Sequence, residues 1–338
     1  MDSLTQVALG ATVAEVTVGK KAGNRAILWG SVFGMLPDLD VLARPFVDEV
    51  TMLGIHRGFS HSVFFALLLA PLIGKLLTKI HKNTEISWIK WAWTIFLVLF
   101  THALLDTFTV YGTQLLKPLT DHPFGINSIF IIDPVYTLPL LLGVLVTLFI
   151  KKRARRYKLN LITLGFSTLY LLLSLGMKLY TLDVFKDNLD KQKINYDKII
   201  TMPTALNIFM YKCIALEDDR LHVGLYSVFE EEKNVLFQKI NRNTELIRSD
   251  LDSRAVKKLL WFSKGFYKVH KKEDGIYFSD LRFGRSDLWL SDGGSFVFDF
   301  KLIRAENGNI NTFKRGTPSM EIDKELLRKF FNRVFANN

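Results

Sequence analysis

Three short stretches carry side chains whose types and spacing can do chemistry: Pro37-Asp38-Leu39-Asp40, His56-Arg57-Gly58-Phe59-Ser60-His61 and His102-Ala103-Leu104-Leu105-Asp106. They lie in or beside strongly apolar sequence, where an ionisable group is costly and marks either a site or a partnered charge. His102 and Asp106 stand at i and i+4, so one helix face presents both, offset by about 40°. A neutral imidazole and a carboxylate on one face are natural ligands for Zn²⁺, at about 2.0–2.2 Å. Asp38 and Asp40 follow a proline at the end of an apolar stretch, where an extended turn aims alternate side chains the same way. His56 and His61 would diverge by about 140° on a continuous helix. That places His56 in a loop and His61 in the first turn of the next helix. The metal candidates are therefore Asp38, Asp40, His56, His61, His102 and Asp106, holding one or more divalent ions, Zn²⁺ first. Blander readings stand beside this one. An HxxxD pair also serves as a structural hydrogen bond, Asp38 as a helix cap, and Arg57 as an ion-pair partner of either aspartate.

The elements that must position these residues are apolar helices. The chain has 338 residues, 49% hydrophobic and 23% charged, with mean hydropathy +0.17. A spanning helix needs about 20 mostly apolar residues. Residues 62–80, 88–105, 134–150 and 159–180 fit that requirement. Residues 3–19 and 24–37 are weaker and read as a helical hairpin, with Gly10, Ala11 and Ala14 permitting close approach. The expected architecture is an α-helical polytopic membrane domain of about six helices over residues 1–180. A small soluble α+β domain follows over residues 181–338. The opening residues lack a basic stretch and carry Gln6 and Glu15, so they do not read as a cleaved signal peptide.

Orientation follows from the basic loops. Lys151, Lys152, Arg153, Arg155, Arg156 and Lys158 crowd one short loop and account for much of the formal net charge of +11. Such loops face the cytoplasm. The expectation is a multi-pass protein of the cytoplasmic membrane with an extracytoplasmic C-terminal domain, periplasmic if the cell has an outer membrane. All three motifs then fall near the outer membrane face, an inference that used none of them. The basic balance is explained by topology, so no nucleic-acid partner is expected, and membrane lipids are the natural partners. His122 is a further candidate on that side, Asp133 reads as the N-cap of the helix from Pro134, and His81 reads as solvated. In the second domain, residues 206–216 and 221–229 read as strands joined by Glu217-Asp218-Asp219-Arg220. Residues 276–283 and 295–303 read as another pair with Asp292-Gly293-Gly294 as turn chemistry. Residues 255–262 and 324–335 have helical spacing, and 187–198 reads as a polar linker. The single cysteine, Cys213, reads as a buried apolar residue without a catalytic role.

The wording and order of MDSLTQVALGATVAEVTVGKKAGNRAILWGSVFGMLPDLDVL, HRGFSHS, THALLDTFTVYGT and IDPVYTLPLL resemble the YdjM-like family of inner-membrane-associated metal-dependent hydrolases. The resemblance covers most of residues 1–150. It implies kinship with zinc-dependent phospholipase C and S1/P1-type nucleases, hydrolysis of phosphoesters, and a metal set on the same six Asp and His residues. Many members carry a histidine where this chain has Gln6, a poor zinc ligand. Gln6 then stands behind the ligands, or the site holds fewer ions.

Two functions fit. In the first, the protein is a hydrolase of a lipid or lipid-linked phosphoester. The ions activate water, Asp38 or Asp40 acts as base, and Arg57 holds the phosphate bidentately. In the second, it is a binding or regulatory membrane protein in which a structural metal ties helices together. A catalytic zinc keeps an open coordination position and a structural one does not.

Overall fold

A computed structural model describes residues 1–291, 293–306, 308–316 and 323–336. The chain divides into two compact units. One comprises Met1–Leu42 and Ile55–Ser174, the other Ala43–Gly54 and Leu175–Asn338.

The first unit is helical. It contains α1 (Ser3–Ala22), α2 (Asn24–Met35), a 3-10 segment (Leu36–Phe46) that begins in this unit, α4 (Val63–Ile80), α5 (Trp88–Thr107), α6 (Pro134–Phe149) and the start of α7 (Arg153–Lys191). The short α3 (Glu49–Ile55) lies almost entirely in the segment grouped with the second unit. Four helical stretches are long and apolar enough to cross a membrane: Asn24–Phe46, Val63–Ile80, Trp88–Thr107 and Arg153–Lys191. Pro134–Phe149 is apolar but shorter. Caps set the starts. Asp2 accepts from Thr5 N–H, Ser62 from Phe65 N–H and Ser87 from Lys90 N–H, each satisfying an orphan donor of a first turn. Asp133 caps α6 through Val135 and Tyr136 N–H, with Pro134 at the first helical position.

α1 and α2 form a tight pair because glycines face each other. A Cβ at Gly10 would lie 2.3 Å from the Gly30 carbonyl oxygen, and one at Gly30 would lie 2.7 Å from Ala14 Cβ. At Gly34 it would meet the Gln6 carbonyl oxygen at 2.6 Å. No side chain fits along this seam, which is the small-residue packing of membrane helices. Glu15 is explained by Arg156, whose Nε and Nη2 each lie 2.8 Å from a Glu15 oxygen, while Nη1 donates to Asn24 at 2.6 Å. Removing either partner would strand a buried charge, a loss of about 3–5 kcal/mol. His81 is half-buried rather than solvated, its Nε2 accepting from Trp29 Nε1 at 2.7 Å.

The second unit carries two four-stranded antiparallel sheets. The first is β1 (Lys198–Pro203), β2 (Met210–Glu217), β3 (Arg220–Ser227) and β4 (Phe237–Asn241). α8 (Arg254–Ser263) follows. The second sheet is β5 (Tyr267–Lys272), β6 (Gly275–Arg285), β7 (Phe296–Arg304) and β8 (Ile310–Arg315), followed by α9 (Lys324–Val334). Each sheet keeps its strands in chain order. Asp218 takes a left-handed conformation, φ 51°, in the two-residue turn between β2 and β3. Asp292 of the expected β6–β7 turn lies outside the described residues. The expected linker over 187–198 is corrected: α7 runs on to Lys191, and β1 begins at Lys198. The polar residues there belong to a helix whose Val184 and Phe185 pack on Tyr211, Cys213, Tyr226 and Val235. Cys213 is fully buried, and burial pushes its thiol pKa well up.

Lys212 on β2 is also buried, its Nζ donating to the carbonyls of Leu281 at 2.7 Å and Arg282 at 3.2 Å. Burial pushes its pKa down to about 7, with Arg285 and Arg282 adding to the effect and Asp280 opposing it. An unfolded lysine titrates near about 10.4. Between these values Lys212 holds its proton in the unfolded chain and not in the folded one, so its contribution to stability rises with pH across about 7 to 10 and falls as pH is lowered through that range. Denaturant unfolding of wild type and Lys212→Met across that window should give a stability difference that grows with pH in favour of wild type. A flat difference would contradict the burial argument.

Candidate metal centre

Asp106 and His102 come from the last turns of α5, Asp38 from the 3-10 segment after α2, and His61 from the 3-10 turn Phe59–His61 before α4. Each offers one ligand atom, and the four atoms all lie within 4.8 Å of one another. His61 Nε2 is 3.3 Å from Asp38 Oδ1 and 3.4 Å from Asp106 Oδ2. His102 Nε2 is 3.6 Å from each of the same two oxygens. A tetrahedral shell with ligands at about 2.0–2.2 Å has edges of about 3.3–3.6 Å. Four of the six edges therefore match a single ion of that kind.

The backbone and its neighbours fix the two imidazoles with Nε2 inward. His102 Nδ1 is 2.7 Å from the Gly34 carbonyl oxygen, which can only accept, so Nδ1 carries a proton and Nε2 is the nitrogen turned toward the cluster. Ser60 Oγ donates to Asp40 Oδ2 at 3.2 Å, leaving its oxygen to accept from His61 Nδ1 at 3.0 Å. His61 is held the same way round. Burial lowers the His61 pKa, which favours the neutral form that can ligate. His102 Nε2 and Asp106 Oδ2 are buried atoms with no hydrogen-bond partner. Orphaned donors and acceptors of this kind are rare and call for an explanation such as an ion. The donor set, its spacing and its orphaned atoms fit a divalent metal.

Asp40 and His56 are not among the four. Asp40 accepts from His56 Nδ1 at 2.9 Å, from Arg57 N–H at 3.0 Å and from Ser60 Oγ. It organises the HRGFSH loop from behind. That loop needs it, because Arg57 adopts a left-handed φ of 56°, a conformation costing about 1–3 kcal/mol for a residue with a side chain. His56 is one-quarter exposed and packs edge-on against Tyr111. Arg57 is buried, its Nη1 donating to Thr109 Oγ1 at 2.7 Å and its Nε lying 3.3 Å from Asp106 Oδ2. The guanidinium expected to hold substrate phosphate is thus already engaged by Asp106, Thr109 and the Tyr111 ring. Gln6 also stands behind the cluster, donating to Asp106 Oδ1 at 3.0 Å and to the His102 carbonyl at 3.3 Å. The Met1 amino group bonds the same Asp106 oxygen. His122 packs edge-on against Phe124. The roles of Ser60 and the Gly34 carbonyl were not anticipated, since neither residue type signals a site by itself.

Metal content separates these roles. His102→Ala should leave less than about a tenth of the bound metal. Asp40→Asn should weaken affinity about 10–100-fold, the usual effect of losing a group that orients a ligand. His56→Ala should leave the stoichiometry unchanged, and an equal loss there would put His56 among the ligands.

Comparison with known proteins agrees with the helical half. A 141-residue stretch is 27% identical to the "Uncharacterized protein YfhP" of Bacillus subtilis (strain 168), covering 40% of this chain and 42% of that one. The chain thus matches less than half the length of that relative. No solved structure matches the chain. Residues 1–181 match the YdjM inner membrane protein family, and the match takes in all four of Asp38, His61, His102 and Asp106. The chain belongs to the YdjM inner membrane protein family.

Proposed function

We propose that the protein is a membrane-bound, metal-dependent hydrolase acting on a phosphoester, such as a lipid or lipid-linked head group at the outer face of the cytoplasmic membrane. One observation carries the reading: four Asp and His donors at tetrahedral edge distances, two of them buried atoms without a hydrogen-bond partner. When bound, a divalent ion such as Zn²⁺ supplies Lewis acidity and activates water at neutral pH. The chain's own residues do the rest. Gly34 and Ser60 keep both imidazoles in the ligating tautomer. Arg57 offsets the charge of Asp106 and holds it toward the centre. Asp38 is the most exposed donor, its side chain 15% exposed against 0–1% for the other three. Substrate therefore approaches from the Asp38 side, where a carboxylate oxygen not used as a ligand can take up a proton. On the basic-loop orientation, that side faces away from the cytoplasm, and the second unit is extracytoplasmic.

The donor count favours a second reading. Four protein ligands are typical of a closed structural zinc site, whereas catalytic sites use three and leave one position open. The protein would then be a binding or regulatory membrane protein in which the ion joins α5 to the segments after α2 and before α4.

The full chain in detergent, with its metal quantified, should cleave bis(p-nitrophenyl) phosphate. Chelation should abolish turnover and the metal should restore it, and His61→Ala should show neither bound metal nor turnover. Stoichiometric metal with no turnover of this probe or of phospholipids, together with a large loss of thermal stability on chelation, would favour the structural reading.

A further inference from the structure

A second, unrelated site lies at the other end of the helices. A cavity of about 470 Å³ opens between the end of α1 and the start of α5. Lys20, Lys21, Lys90 and Glu85 line it, above an apolar floor of buried Val18 and Ile86. Its volume falls within the range of small-ligand sites, about 300–1,000 Å³. Three lysines against one glutamate leave a formal charge of +2 on its walls. None of the three ammonium groups is ion-paired among the described residues. Two are nevertheless held in place. Lys21 Nζ donates to the Glu85 backbone carbonyl at 3.0 Å, and Lys20 Nζ sits 4.1 Å from the centre of the Tyr157 ring. Placing like charges around one cavity is unfavourable until an anion enters it, and an ammonium is a compact point charge suited to phosphate.

The depth of the cavity identifies the source of that phosphate. Along α1, Lys20 lies about 21 Å from Gln6, and along α5, Lys90 lies about 18 Å from His102, at about 1.5 Å per residue. The cavity and the Asp–His cluster therefore occupy opposite ends of the same helices. Trp88 and Trp93 are exposed on α5 beside Lys90, and exposed tryptophans mark the head-group level of a bilayer. Basic pockets between membrane helices at that level recognise anionic lipid head groups. We infer that this cavity binds the phosphate of an anionic phospholipid on the leaflet opposite the metal centre. The inference does not rest on the hydrolase reading.

The test uses the full chain in detergent, with native mass spectrometry of bound dioleoyl-phosphatidylglycerol and dioleoyl-phosphatidylcholine. Wild type should retain the anionic lipid about tenfold better than the zwitterionic one. K20Q/K90Q should lose most of that preference, while K151Q/K152Q, in the neighbouring basic stretch, should keep it. Unchanged circular dichroism and bound metal would show that K20Q/K90Q is folded. Lys90→Glu, at an exposed position, gives an independent variant with the same expected loss. Equal retention by wild type and K20Q/K90Q would overturn the site. So would an equal loss in K151Q/K152Q, which would mean bulk attraction only. Displacement of the lipid by inorganic phosphate at about 10 mM would overturn the lipid assignment and leave a soluble phosphate as the ligand.

Discussion

A carboxylate with no exposed surface has to be met by positive charge or by hydrogen bonds, and Asp106 is such a group. One of its oxygens is engaged by Gln6 and the Met1 amino group, so the other is left facing His61 and His102 with Arg57 at its side. Burying a carboxylate unpaired costs several kcal/mol. The helices around α5 are arranged to avoid that cost. Arg57 lies beside Asp106 with its backbone in a left-handed conformation, and Asp40 holds that backbone through its N–H. The two aspartates thus divide the work, Asp106 facing the centre and Asp40 holding the loop that supplies Arg57 and His61.

The glycine seam extends the same logic to the first helical pair. Gly34 is close enough to α1 that a Cβ would collide with the Gln6 carbonyl. Its own carbonyl fixes the His102 proton on Nδ1. A larger residue at Gly30 or Gly34 would push α2 outward, lengthen the Gly34–His102 bond and free that ring to turn. Packing density between α1 and α2 and the ligating state of a histidine on α5 are therefore linked. That link joins a small-residue stripe, which looks purely structural, to the chemistry of the site.

The parts of the fold legible in the sequence were those with a strong local period. The i, i+4 pair His102 and Asp106 could only share a face, and the convergence of three motifs followed from helix parity. The roles of Asp40 and His56 were hidden, because they depend on a left-handed turn at Arg57 that residue types do not announce. In the second unit, the strands visible in the sequence were β2, β3, β6 and β7, which are the inner strands of the two sheets. The edge strands β1, β4, β5 and β8 were missed. They are five or six residues long, and Lys268, Lys271 and Lys272 crowd β5 while Lys314 and Arg315 end β8. Short, basic edges discourage pairing with other chains, and the same features erase the alternation by which a strand is recognised. The polar end of α7 was misread for a related reason: beyond the apolar run its helical face is buried by only a few residues, Val184, Phe185 and Leu189 among them.

The central claim is that Asp38, His61, His102 and Asp106 hold one divalent ion. X-ray absorption at the edge of the metal that co-purifies with the detergent-solubilised chain tests it most directly. The account predicts a first shell of two imidazole nitrogens and carboxylate oxygens at about 2.0–2.2 Å, with the outer-ring scattering of two histidines. A shell of water or carboxylate oxygen without imidazole scattering, or a chain that binds no metal when metal is supplied, would contradict it.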